Sequence, residues 1–177
     1  MTMFERLYPD EYYESAYEIP YEKLYESGVR GIIYDIDNTL VTHGAPADDR
    51  SIELFKRLKA IGFACTLLSN NKKERVDLFN KDVNVYTIYK AGKPAIGGYL
   101  KACEMMGTNT DNTISVGDQI FTDVWGAKRA GIKSYMVKYI DPHEEIQIIL
   151  KRRLEYFVLK EYRKRLKKSI EKRSDLV

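Results

Sequence analysis

No apolar run in this sequence approaches the roughly 20 residues that a membrane-spanning helix requires. Cysteine is nearly missing: Cys65 and Cys103 stand far apart without metal-binding spacing, so a disulfide scaffold and a cysteine zinc site are both excluded. A reduced, cytoplasmic setting is the expectation. Cys65 lies in an apolar stretch and reads as a small core residue, while Cys103 lies in a helical pattern. Histidine is as scarce. His43 and His143 are far apart in the chain and read as surface or loop residues, which excludes a histidine-based zinc site. The opening Met-Thr-Met-Phe-Glu-Arg lacks the charged-then-apolar order of a secretory signal. There is no internal repeat and no low-complexity tract.

What is present is an ordinary amount of core-forming material, 44% hydrophobic residues in 177, enough for one domain with an extension. The net charge of +3 conceals an asymmetry. Residues 1–150 carry 18 Lys and Arg against 22 Asp and Glu, a balance of −4, whereas residues 151–177 carry 11 against 4, a balance of +7. Attraction to anionic partners therefore belongs to the C-terminal tail.

The body reads as alternating strand and helix. Strands are expected at Gly31–Tyr34, Phe63–Leu68, Val83–Ile88, Thr113–Val116 and Ser134–Val137. Helices are expected near Asp49–Ile61, Asn71–Asn80, Pro94–Met106 and Thr122–Ala130, with Gly62, Gly107 and Gly131 at helix C-termini. Such alternation argues for parallel βαβ units and a doubly wound α/β sheet. Residues 1–29 hold six of the 14 tyrosines at spacings near four, which suggests a helical turn or two packed on the core; the alternative is an aromatic anchor at a lipid interface. Asp141-Pro142 looks like the start of a last helix. There Ile146, Leu150, Leu154, Val158, Tyr162, Leu166 and Ile170 form an apolar stripe among lysines and arginines. The division is a core over 1–140 and a basic amphipathic extension over 141–177.

Asp35-Ile-Asp37-Asn38-Thr39 follows directly on the apolar run Gly31–Tyr34. Carboxylates two apart fall on opposite faces of a strand, but if the strand ends at Asp35 the chain can curl and aim both at one site. The carboxyl end of a buried parallel strand is where open α/β sheets place ligands. One carboxylate as nucleophile, the next as acid and base, and a hard cation between the charges suits phosphoryl transfer. Three further segments follow in order: Leu67-Leu68-Ser69-Asn70-Asn71, then Lys93-Pro94, then Gly117-Asp118 with Asp123 five residues on.

In that order the four pieces resemble the haloacid dehalogenase-like (HAD) phosphatase superfamily, over about Arg30 to Asp123. The resemblance implies a Rossmann-like HAD core and an aspartyl-phosphate mechanism with Asp35 as nucleophile and Asp37 as acid and base. It implies that Thr39 ties the loop down, that Asn38, Thr39, Ser69, Asn70 and Lys93 serve the phosphoryl group, with Lys93 also catalytic, and that Mg²⁺ is the cofactor. The metal set implied is Asp35, Asp37 through its carbonyl, Asp118 and Asp123, the last either a ligand through water or an orienter of Lys93. Lys90 is the rival for the lysine role. Cap domains in this superfamily are inserted after the signature or between the serine and lysine motifs, and both intervals here are too short, so the site is expected to be capless. Leu7-Tyr-Pro-Asp10 and Leu-Leu-Ser-Asn-Asn look like the class IIIA, YqeG-like branch, similar to phosphatidylglycerophosphate phosphatases. The expected substrate is a phosphate monoester, with phosphatidylglycerophosphate at an anionic membrane surface as the candidate and the protein cytoplasmic or peripheral to the inner face of the membrane. A soluble nucleotide, phospho-sugar or phosphoprotein is the alternative. A further one is an RNA- or ribosome-binding module with vestigial activity, which the intact acids and the missing RNA motif disfavour. The oligomeric state is left open.

Overall fold

The computed structural model describes residues 4–142 and 146–174. Six strands form one wholly parallel sheet: β1 (Glu11–Tyr13), β2 (Gly31–Tyr34), β3 (Ala64–Leu68), β4 (Tyr86–Ile88), β5 (Thr113–Gly117) and β6 (Lys133–Val137), in the order β1-β6-β5-β2-β3-β4. The helices are α1 (Tyr21–Glu26), α2 (Asp49–Ile61), α3 (Lys73–Val83), α4 (Gly97–Met106), α5 (Trp125–Arg129) and α6 (Ile146–Ser174). The direction of winding reverses between β2 and β5, which opens a crevice at their carboxyl ends.

The central strand β2 is buried along its whole length because side chains of alternate parity enter two cores. Ile32 and Tyr34 pack with Leu54, Phe55 and Leu58 of α2 and with Val76 and Phe79 of α3. Ile33 faces the other layer, with Tyr99, Ala102 and Cys103 of α4 and Ala127 of α5. Helix α2 begins at a reciprocal cap, in which Asp48 accepts from the Ser51 amide while Ser51 Oγ accepts from the Asp48 amide. It ends at Gly62, whose φ of 111° suits glycine.

The doubly wound reading holds, with four local differences. Helix α3 runs on to Val83, so the expected strand Val83–Ile88 shrinks to Tyr86–Ile88; Asn84, at φ 57°, ends the helix, and the Asn80 side chain bonds both backbone groups of Val85. The helix expected over Thr122–Ala130 opens as a π turn, Ile120–Val124, before α5. Among the described residues of the N-terminal flank, only Tyr21–Glu26 is α-helical. Around Tyr12-Tyr13 the chain is extended and becomes a sixth strand, β1, with Glu11 paired to Tyr135 and Tyr13 to Val137. Asp10 fixes that edge by accepting from the Ser134 amide at 2.8 Å and hydroxyl at 2.9 Å. The tyrosines there do pack inward: Tyr34 donates to the Tyr21 hydroxyl, which donates to Ala16 O, and Tyr13 stacks on Tyr135.

The fourth difference is α6. The expected stripe repeats every four residues, and at 3.6 residues per turn such a row drifts around the helix by about 40° per step. Among its members with described side chains, Val158 and Tyr162 are buried, joined by Glu155, while Leu154 and Leu166 are exposed. Pro142 lies outside the helix; His143 and the side chains of Ile146, Leu150 and Ile170 fall outside the described residues. No described helix is long and apolar enough to cross a membrane.

Candidate active site

Three strand ends supply the site. Asp35 follows β2, with its amide bonded to Val116 O of β5 at 2.9 Å. Ser69 follows β3 and Asp118 follows β5. They meet at the crevice where the winding reverses, in an open cleft of about 200 Å³ lined by Asp35, Asp37, His43, Ser69, Asn70, Asn71, Lys93, Gln119 and Thr122. Between Thr39 and Ser69 the chain forms a loop, α2 and β3, and between Ser69 and Lys93 it forms α3 and β4. Neither interval holds an inserted domain.

Lys93 sits at the bottom. Its Nζ lies 2.6 Å from Asp35 Oδ1 and 2.6 Å from Asp123 Oδ1, with a side chain only 4% exposed. Asn70 sets its backbone, accepting from the Lys93 amide at 2.7 Å and donating to its carbonyl at 3.2 Å. Burial would lower the ammonium's pKa, but the Asp123 and Asp35 carboxylates more than offset this and raise it. Lys90, the rival, is exposed. Burial pushes the Asp35 carboxyl up to about 8; Lys93 opposes the shift, and Asp123 and Asp118 add to it.

Asp37 is held from both lips of the cleft. Its Oδ1 accepts from the Gly44 amide at 2.8 Å and from Arg75 Nη2 and Nε at 2.9 and 3.1 Å, and its Oδ2 accepts from Asn71 at 2.7 Å. Thr39 Oγ1 donates to Asp118 Oδ1 at 3.1 Å, tying the signature loop to β5. Asn38, at φ 62°, turns away from the cleft, and its Oδ1 accepts the Asp141 amide at 3.1 Å. Ser69 Oγ accepts the Asn71 amide at 3.1 Å and lines the cleft.

The π turn explains the glycine before Asp118. It brings Asp123 back so that its Oδ2 accepts the Gln119 amide at 3.0 Å, and a Cβ at Gly117 would stand 2.4 Å from Asp123 Cγ. Only a hydrogen fits there.

Carboxylate oxygens of Asp35, Asp118 and Asp123 lie within 4.8 Å of one another. Hard oxygen donors of this kind suit Mg²⁺.

Three participants lie outside the sequence motifs, and a fourth, Asn71, closes the Ser69 segment without an assigned role. Arg75 stands one turn further on, so its place near that segment was the available signal. Arg152 and Glu155, an i,i+3 pair on α6, reach the turn after β5: Arg152 bonds Asp118 through both its carboxylate and its carbonyl, and Glu155 accepts the Ile120 amide at 2.7 Å. Within a strongly basic tail nothing in the sequence distinguishes that arginine from its neighbours.

A fold of this kind with this acid-serine-lysine-acid order defines a HAD-type phosphatase. A family profile described as "HAD-hyrolase-like" matches residues 90–139. The "Probable phosphatase YqeG" of Bacillus subtilis (strain 168) is 40% identical over 130 residues, which span 73% of this chain and 76% of that protein. The chain belongs to the HAD phosphatase superfamily, in its YqeG-like branch. Solved structures share the fold at low identity. A cobalt-bound deoxy-D-mannose-octulosonate 8-phosphate phosphatase from Haemophilus influenzae is 14% identical, with TM-score 0.51 over 64% of this chain and 69% of that one. An uncharacterized protein from Listeria monocytogenes serotype 4b is 16% identical, with TM-score 0.52 over 66% of this chain and 85% of that one.

Proposed function

We propose that the protein is a Mg²⁺-dependent phosphomonoesterase that works through an aspartyl-phosphate on Asp35. The observation that carries this reading is the meeting of Asp35, Asp37, Ser69 and Lys93 in one open cleft. An Asp35 carboxylate oxygen bonds to phosphorus as the ester P–O bond breaks, and Asp37 gives a proton to the leaving oxygen. Water then attacks phosphorus, its proton goes to Asp37, and the Asp35–phosphorus bond breaks to release inorganic phosphate. Ser69, the Asn70 amide and Lys93 hold the phosphoryl oxygens. Asp35, the Asp37 carbonyl and Asp118 would hold Mg²⁺, which when bound offsets the charge on the phosphoryl group. Asp123 keeps Lys93 in place, since both its oxygens are engaged by Lys93 and by the Gln119 amide.

The proposed substrate is a phosphate presented at a surface, with phosphatidylglycerophosphate as the candidate. Two features favour it: the cleft has no cap to enclose a small molecule, and α6 exposes Leu154, Tyr156, Phe157 and Leu166 among Arg153, Lys160, Lys164 and Lys167. Each basic residue near an anionic bilayer contributes about 1 kcal/mol. Phosphate release is to be measured on an aryl phosphate and on phosphatidylglycerophosphate in mixed micelles, with and without EDTA. Charge reversal at Lys160, Lys164 and Lys167 should spare the aryl phosphate and abolish sedimentation with anionic vesicles, most visibly at low salt. A wild type that ignores such vesicles turns the substrate reading to a soluble ester. Activity untouched by EDTA removes the metal.

A further inference from the structure

A guanidinium from the C-terminal helix stands on the catalytic rim. Arg152 Nη1 donates to Asp118 O at 2.7 Å and to Glu155 Oε2 at 3.1 Å, and Nη2 donates to Asp118 Oδ2. The group lies over the Tyr139 ring, 4.7 Å from its centroid. Glu155, 3% exposed, holds the Ile120 amide, and Val158 and Tyr162 continue the buried face. One turn of α6 thus grips the segment that carries Asp118, while the other oxygen of that carboxylate, Oδ1, takes the Thr39 hydroxyl.

We propose that Arg152 competes with the divalent cation for Asp118, so that filling the metal site loosens α6 and undocking α6 makes the site easier to fill. This rests on the metal-dependent reading above. An arginine on a ligand carboxylate could act in two ways, by aiming the ligand or by opposing the cation. Thr39 and the end of β5 already aim Asp118. What Arg152 adds is a full positive charge touching an oxygen of a fully buried carboxylate, where water screens little. Opposition therefore dominates. The coupling is reciprocal by necessity, since two ligands of one group that oppose each other must each weaken the other's hold.

Calorimetric titration of the full chain with MgCl₂ gives the dissociation constant for wild type, Arg152→Gln and Arg152→Lys, and hydrogen exchange follows the amides of residues 152–162. Arg152→Gln should bind Mg²⁺ about tenfold tighter, Arg152→Lys should stay near wild type, and Mg²⁺ should speed exchange over 152–162 in the wild type. Val158→Asp undocks the helix without touching Asp118 and should tighten Mg²⁺ as well, so a variant that merely loosens the helix still tests the idea. Equal or weaker binding by Arg152→Gln overturns the competition and leaves the metal-dependent reading standing. If neither wild type nor Arg152→Gln takes up Mg²⁺, both fall.

Discussion

Asp35 and Asp37 are two residues apart and almost equally exposed, at 12% and 11% of their side chains, yet they are held by different parts of the molecule. The sheet holds Asp35: its amide is bonded to β5, and its carboxylate rests on a lysine that is itself clamped by Asp123 and Asn70. The rims hold Asp37, through the amide of Gly44 on one side and Asn71 and Arg75 on the other. Partners rather than exposure separate them. One can therefore be altered while the other stays in place, and two roles can coexist in one cleft.

The largest expected effect breaks the pair at Asp35. Asp35→Asn should lose at least about a thousandfold in phosphate release from an aryl phosphate, as when a nucleophile is removed. Asp37→Asn should instead keep a burst of aryl leaving group and slow the later hydrolysis, because a good leaving group needs little protonation while water still needs a base. Equal losses in both phases would erase the distinction. Lys93→Met comes next, with turnover down by roughly 10²–10³. It also strands Asp35 and Asp123 together, which should cost about 3–5 kcal/mol in urea unfolding, and adding Asp123→Asn should recover part of that.

Arg75→Gln should be milder, about tenfold in turnover, with the burst retained, since it lets Asp37 drift without touching Asp35. A loss of the burst would show that the rims also hold the nucleophile. The smallest effect, per pH unit, is the slope of stability against pH in EDTA. With its folded pKa raised to about 8, Asp35 binds more protons folded than unfolded between pH 4 and 8. Stability should therefore fall as pH rises through that window, by at most about 1.4 kcal/mol per pH unit for a single group. Asp35→Asn should flatten the slope. A slope that survives the substitution assigns it elsewhere.

Most of the sheet was legible because the central strands are continuous apolar runs with turn residues at their ends. Gly31–Tyr34 and Asp49–Ile61 have the bounds their patterns suggest. The two edges were harder. A three-residue strand such as β1 carries too little pattern, and its partner is more than a hundred residues away. The tyrosine spacing suggested helix because aromatic periodicity reports burial, which a 3₁₀ turn, an edge strand and a short helix can all provide. At the site, the motif acids, Ser69 and Lys93 were legible because each follows a strand or opens a helical pattern. Arg75 and Arg152 were not, because a charged residue on a helix is normally solvated and only the fold shows which one faces inward. The every-four stripe of α6 misled for a geometric reason, since a row of that period winds away from any flat partner.

The π turn that seats Asp123 has a practical consequence. The chain's single tryptophan, Trp125, follows directly on that turn, 37% exposed and with the Arg129 guanidinium 5.3 Å from its ring. A shift of the Asp123 backbone when phosphate or a cation enters would reach the indole two residues away. Fluorescence of the unmodified chain therefore offers a test of site occupancy without a label or a chromogenic substrate, with a change in emission expected on adding either.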